Sequence, residues 1–171
     1  MAFLRFFHLF TFVFWYGTLL YFTFIQAPVL FKTLPRDLFG LVQSKLFPVY
    51  YYINYACGLA LIVTYHFLHP YKPNDPQDCV RISALYLMLL LSLAQGMWIG
   101  PKAAQLRLDR IAAEESKDTA MAGALSREFG KTHGISSLIN LLVILAGLIY
   151  LIYYSIETHK VSPSLVQKIF G

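Results

Sequence analysis

Four apolar stretches, each long enough to cross a bilayer, are separated by polar segments of unequal length. They cover about residues 3–27, 47–67, 80–100 and 134–156, and the first carries no charge after Arg5. A helix rising ~1.5 Å per residue needs roughly 20 apolar residues to traverse a hydrocarbon core of ~30 Å. All four stretches meet that length, and the first leaves room for tilt.

The polar segments differ in kind. In residues 35–47, Leu38, Phe39, Leu41, Val42 and Leu46 fall on one arc of a helical wheel, with Arg36, Asp37, Gly40, Gln43 and Ser44 opposite. That pattern predicts a short interfacial amphipathic helix lying flat in the membrane surface, with Lys45 snorkelling from its apolar side. Pro35 suits the first helical position and Thr33 can cap it. Pro48 then bends the chain into the second span, where Tyr50, Tyr51 and Tyr52 form an interfacial belt. Residues 66–78 hold Pro70, Pro73 and Pro76 beside Asn74 and Asp75, which predicts a turn, with Asp78 as the cap of the third span. Residues 102–131 are polar and rich in Ala, Glu, Arg and Lys. The spacings of Arg110 with Glu114 and of Glu114 with Lys117 favour helix in water. A helical hairpin is therefore expected there, turning near Ser116 and Thr119 and carrying spans three and four beyond the membrane. Pro101 kinks or ends the third span. The fold class expected is all-α: a polytopic membrane four-helix bundle forming a single membrane domain over residues 1–171, with one interfacial helix and one protruding hairpin.

Composition decides between a soluble and a membrane protein. Hydrophobic residues make up 57% of the chain and charged residues 13%, with a mean hydropathy of +0.55; a soluble domain of this size cannot carry that balance. The apolar run at the N-terminus is too long for a signal-peptide core and shows no small-residue cleavage site, so it is expected to be a retained span. The net charge of +5 is spread over membrane-flanking segments without any nucleic-acid-binding signature. Anionic lipid headgroups are the partners it suggests, and nucleic acid is not. Nine of the Lys and Arg residues lie on the side of loops 28–47 and 101–133, against five (Arg5, Lys72, Arg81, Lys160 and Lys168) on the side of the termini. The positive-inside rule places the more basic side in the cytosol, for an endomembrane or plasma-membrane protein, or in the matrix for a mitochondrial inner-membrane one. Cys57 lies in an apolar run and Cys79 in a loop, so no disulfide between them is expected.

The block LPRDLFGLVQSKLFPVYY in residues 34–51 resembles the signature of the transmembrane protein 205 family. His8 and Gly17 in the first span, Trp98 and Pro101 at the end of the third, and HGISSLINL in residues 133–141 extend the resemblance over most of the chain in order. The resemblance implies an architecture of four spans and brings no reaction with it.

Polar groups near the more basic face are the leading site candidates: Arg36, Gln43, Ser44 and Lys45 on the interfacial helix, Gln95 near the end of span three, and His133, Ser136, Ser137 and Asn140 opening span four. Such groups at membrane depth are costly unless they face one another or a polar cavity. They form either a shallow pocket for an anionic headgroup or small polar solute, or a set of interhelical ties and surface anchors; the second needs fewer assumptions. Gly96 and Gly100, and Ala56 and Ala60, have the four-residue spacing that lets helix backbones approach in lipid. His8, His66, His69 and His159 gather toward the opposite face, and His66 and His69 share a helical face. No HExxH or CxxC accompanies them, so packing histidines are expected and neither metal nor cofactor is assigned. All nine acidic residues lie in loops, hairpin or span ends, and no nucleophile–base pair or phosphate loop appears. The function expected is that of a non-enzymatic multi-pass membrane protein that binds lipids or protein partners and affects trafficking or small-solute handling. The alternative is an accessory structural subunit of a larger membrane complex, such as a mitochondrial respiratory assembly.

Overall fold

In a computed structural model the protein is all-helical; residues 1–69 and 75–170 are described, with side chains as far as residue 156. Four long helices account for it: α1 (Ala2–Thr33), α2 (Arg36–Leu68), α3 (Pro76–Glu115) and α4 (Thr119–Phe170). Neighbours in sequence are neighbours in space, α1 on α2, α2 on α3 and α3 on α4, and α4 closes back on α1. Each helix is long and apolar enough to cross a membrane, yet only 28–33% of the residues in those stretches are buried within the chain. The remaining apolar faces require lipid, which makes this an integral membrane protein with several spans.

The core runs along the bundle axis through Trp15, Leu19, Leu61, Leu85, Met88, Val143 and Tyr150, all essentially inaccessible. Small residues admit the large ones. A Cβ on Gly147 would overlap the ring of Tyr16, and one on Gly58 would press on Leu89 and Trp15.

Two helices change pitch at corresponding places. α1 contains a π turn at Phe22–Gln26 and α3 one at Gln95–Ile99. Each ends immediately before a small residue followed by proline, Ala27–Pro28 and Gly100–Pro101. Proline lacks the N–H and its ring crowds the preceding turn, and a wide turn just upstream absorbs both effects. Pro101 thus leaves α3 unbroken, and that helix continues into the hairpin.

Residues 35–47 do not form a separate helix lying flat, and this corrects the sequence expectation. Residues 36–68 are a single α-helix with Pro48 inside it. A proline there forfeits one backbone bond, at a cost of about 3 kcal/mol in an isolated helix. Packing on both sides compensates: the Arg107 side chain lies across Gly40, its guanidinium donates to the Asp37 carbonyl at 3.2 Å, and Arg110 pairs with Asp37 at 3.6 Å. Beyond Pro48, Tyr51 fits against Gly96 and Gly100. The first turns of α2 are therefore docked on the protruding part of α3. Nor does Thr33 cap this helix. Its hydroxyl donates to the Val29 carbonyl, and Pro35 is the N-cap, without a side-chain bond.

Asp78 is likewise not the cap of α3. Asp75 holds that place, accepting from the Gln77 N–H at 3.0 Å. α3 and α4 meet in a tight turn at residues 116–118, where Lys117 has φ 60°. The Asp118 N–H donates to the Ala113 carbonyl and that of Lys117 to Glu114, which closes a Schellman motif. Lys117 thus leaves the helix, while Arg110 and Glu114 do pair, at 3.5 Å. Lys102 and Glu128 bridge the hairpin at 3.0 Å. Of the turn expected over residues 66–78, residues 70–74 lie outside those described, as do the side chains of His159, Lys160 and Lys168.

Candidate functional site

Polar side chains collect at two levels of the bundle. The level near the turn of α1 into α2 is built from neutral amides and hydroxyls. Gln26 Nε2 donates to Gln43 Oε1 at 2.9 Å, joining α1 to α2. Asn140 Nδ2 donates to Thr23 Oγ1 at 2.7 Å, and its Oδ1 accepts from the Tyr50 hydroxyl at 3.1 Å, so this one amide ties α4 to both α1 and α2. Gln95 Nε2 donates to Ser136 Oγ at 3.0 Å, joining α3 to α4. Deeper in, the Trp15 indole N–H donates to Asn54 Oδ1, while the Asn54 amide donates back to the Tyr50 carbonyl. Gln26 Oε1 is left buried without a partner among the described residues.

Of the candidates drawn from sequence, Gln43, Gln95, Ser136 and Asn140 enter this belt, each in an interhelical tie. The others stand apart. Ser44 and Ser137 bond back to the carbonyls of Leu41 and His133. Arg36, Lys45 and His133 are exposed, and His133 stacks on Phe129 with ring centroids 6.1 Å apart. Gly96 and Gly100 do serve close packing, but against tyrosine rings rather than a helix backbone: a Cβ on Gly96 would strike Tyr55 and Tyr51. Ala56 is exposed and Ala60 half-buried. The small residue that α2 uses within the chain is Gly58, two places away and on the inward face.

The second level lies at the end of the bundle that holds the start of α1, and sequence reading did not assemble it. His8, only 1% exposed, meets Thr64 Oγ1 through Nδ1 and the Tyr150 hydroxyl through Nε2, both at 2.6 Å. Thr64 gives its single proton to the Ala60 carbonyl. Its oxygen therefore accepts from Nδ1–H of His8, and the neutral ring takes the Tyr150 proton at Nε2. Beside this lies an ion pair. Asp78 and Arg81, 2% and 3% exposed, are joined at 3.1 Å, and Tyr65 donates its hydroxyl proton to Asp78 at 2.5 Å while accepting from Arg81 Nε at 3.1 Å. His69 stacks on Tyr65 at 4.7 Å, and the rings of Tyr65 and Tyr150 bring the two groups together.

Thus Arg81, one of the five basic residues on the side of the termini, is buried in an ion pair, and His8 holds three helices together. His66 and His69 do not share a helical face, because α2 ends at Leu68; His66 donates instead to the Ile62 carbonyl. The available signal was the spacing of Asp78 and Arg81, three apart with Cys79, Val80 and Ile82 around them, which puts a cation and a carboxylate on one turn of an otherwise apolar helix. Among the described residues no group of three or more His, Cys, Asp or Glu side chains is placed to hold a metal ion.

Comparison with known proteins agrees with a membrane architecture. Residues 10–112 match the family model described as "Domain of unknown function (DUF4149)". The chain is similar to Transmembrane protein 205 of Danio rerio, with 26% identity over 170 residues, 88% of this chain and 90% of that protein. No solved structure matches.

Proposed function

Since the chain belongs to the DUF4149 family and carries four membrane-length apolar helices, we propose that it is a non-enzymatic membrane protein whose more basic end binds anionic lipid headgroups. The observation that carries this reading is the junction of α1 with α2. Lys32, Arg36 and Lys45 are exposed there beside exposed Phe31, Leu38 and Leu41. Cations rising from an apolar, lipid-facing rim stand where phosphate groups lie, and each is worth about 1 kcal/mol near an anionic surface. On this reading the amide belt does not bind the ligand; it fixes the rim by locking α1, α2 and α4 together. The polar face also sets orientation. Nine Lys and Arg residues on the side of the α1–α2 junction and hairpin, against five on the other, favour the cytosol or matrix for that side.

Native mass spectrometry of the purified protein with added phosphatidylserine or phosphatidylcholine tests the reading. Retention of phosphatidylserine is expected to exceed that of phosphatidylcholine, and Arg36→Ala with Lys45→Ala to weaken it by roughly ten- to thirty-fold. Equal retention of both lipids, or no effect of the double substitution, would remove it. Co-migration with a large assembly on native gels would redirect the role toward that of an accessory subunit.

A further inference from the structure

The helical hairpin is charged in opposite senses along its length. Its base carries Lys102, Arg107, Arg127 and Lys131 against the single carboxylate of Glu128. Its tip, residues 109–118, carries Asp109, Glu114, Glu115 and Asp118 against Arg110 and Lys117, and Arg110 is committed to Asp37 and Glu114. Between α3 and α4 at that tip opens a cleft of about 430 Å³, walled by Ala112, Ala113, Met121 and Leu125 with Asp109 and Asp118 among its lining. Met121 is 54% exposed, and its flexible thioether adapts to whatever packs on it.

We propose that this cleft docks a cationic amphipathic helix of a partner protein. Apolar side chains of that helix pack over the alanine shelf and Met121, and its Lys and Arg residues meet the carboxylates of the rim. Charge complementarity selects the occupant. An anionic lipid surface is repelled by the same carboxylates. The proposal uses residues other than those of the lipid-binding rim and stands or falls separately from it.

The test uses the full-length protein in phosphatidylcholine nanodiscs and fluorescence anisotropy of two labelled helical probes. One is an amphipathic Leu/Lys peptide, and the other is its Leu/Glu counterpart with the same pattern. The Leu/Lys probe is expected to bind, less tightly as salt rises, and the Leu/Glu probe not to bind. Asp109→Asn with Glu115→Gln, both at the hairpin surface, is expected to weaken binding about tenfold through loss of one charge that lines the cleft and one beside it at the tip. Met121→Asp is expected to weaken it through the apolar floor. Binding of the Leu/Lys probe that is no stronger than to empty nanodiscs, or that is indifferent to both variants, would overturn the proposal. So would binding of anionic vesicles that Asp109→Asn with Glu115→Gln weakens.

Discussion

At the end of the bundle where α1 begins, Asp78 and Arg81 place a full ion pair in the protein interior, closed by Tyr65. At the other end Gln26, Gln43, Gln95 and Asn140 also join helices, but without any charge. The difference lies in what each arrangement can leave unpaired. A stranded neutral amide costs less than a stranded charge, and among the described residues the belt does leave one acceptor unpaired, Gln26 Oε1. A buried charge cannot be left so, because its desolvation cost is repaid only by a partner in good geometry. The ionic end should therefore be brittle and the amide end graded, although both serve the same mechanical purpose.

The largest effect is expected at the ionic end. Arg81→Ala leaves the Asp78 carboxylate buried and uncompensated and should cost about 3–5 kcal/mol in denaturant-induced unfolding in mixed micelles. Replacing both partners, Asp78→Leu with Arg81→Met, should recover most of that loss; a double variant as unstable as Arg81→Ala would show that the pair is not the source of the brittleness. A smaller loss is expected one layer away. Tyr150→Phe removes the proton that His8 accepts at Nε2, and an orphaned buried acceptor costs about 1–3 kcal/mol. The same unfolding measurement reads it, and an unchanged midpoint would mean that His8 is not held through Nε2. The smallest effect belongs to the amide end, where Gln43→Leu should cost about 0.6–1.7 kcal/mol, within the range of interhelical bonds in membranes. A loss as large as that of Arg81→Ala would erase the contrast.

The two ends were unequally visible before the structure was known. Gln43, Gln95 and Asn140 stand out because each is a polar residue in an apolar helix, and an amide so placed must find a partner across the bundle. Asp78 and Arg81 escaped notice because they lie close to a proline-rich turn, where charge is ordinary and a capping role for Asp78 is plausible. Thr64 and Tyr150 lie 56 and 142 positions from His8, and no periodicity relates them. Residues 35–47 mislead for a related reason. Their wheel has an apolar arc that suits a membrane surface, but that arc is equally compatible with a helix whose polar side is gripped by Arg107 and Arg110.

The number of membrane-length helices, the all-helical class and the protruding hairpin follow from the sequence by itself, because length and hydropathy are sums over consecutive residues and need no knowledge of neighbours. Which helix continues through Pro48, which glycine admits which ring, and which carboxylate meets which guanidinium were decided only by tertiary packing. Those outcomes depend on distances between residues far apart in the chain, and a proline or a charge has no fixed cost until its surroundings are in place.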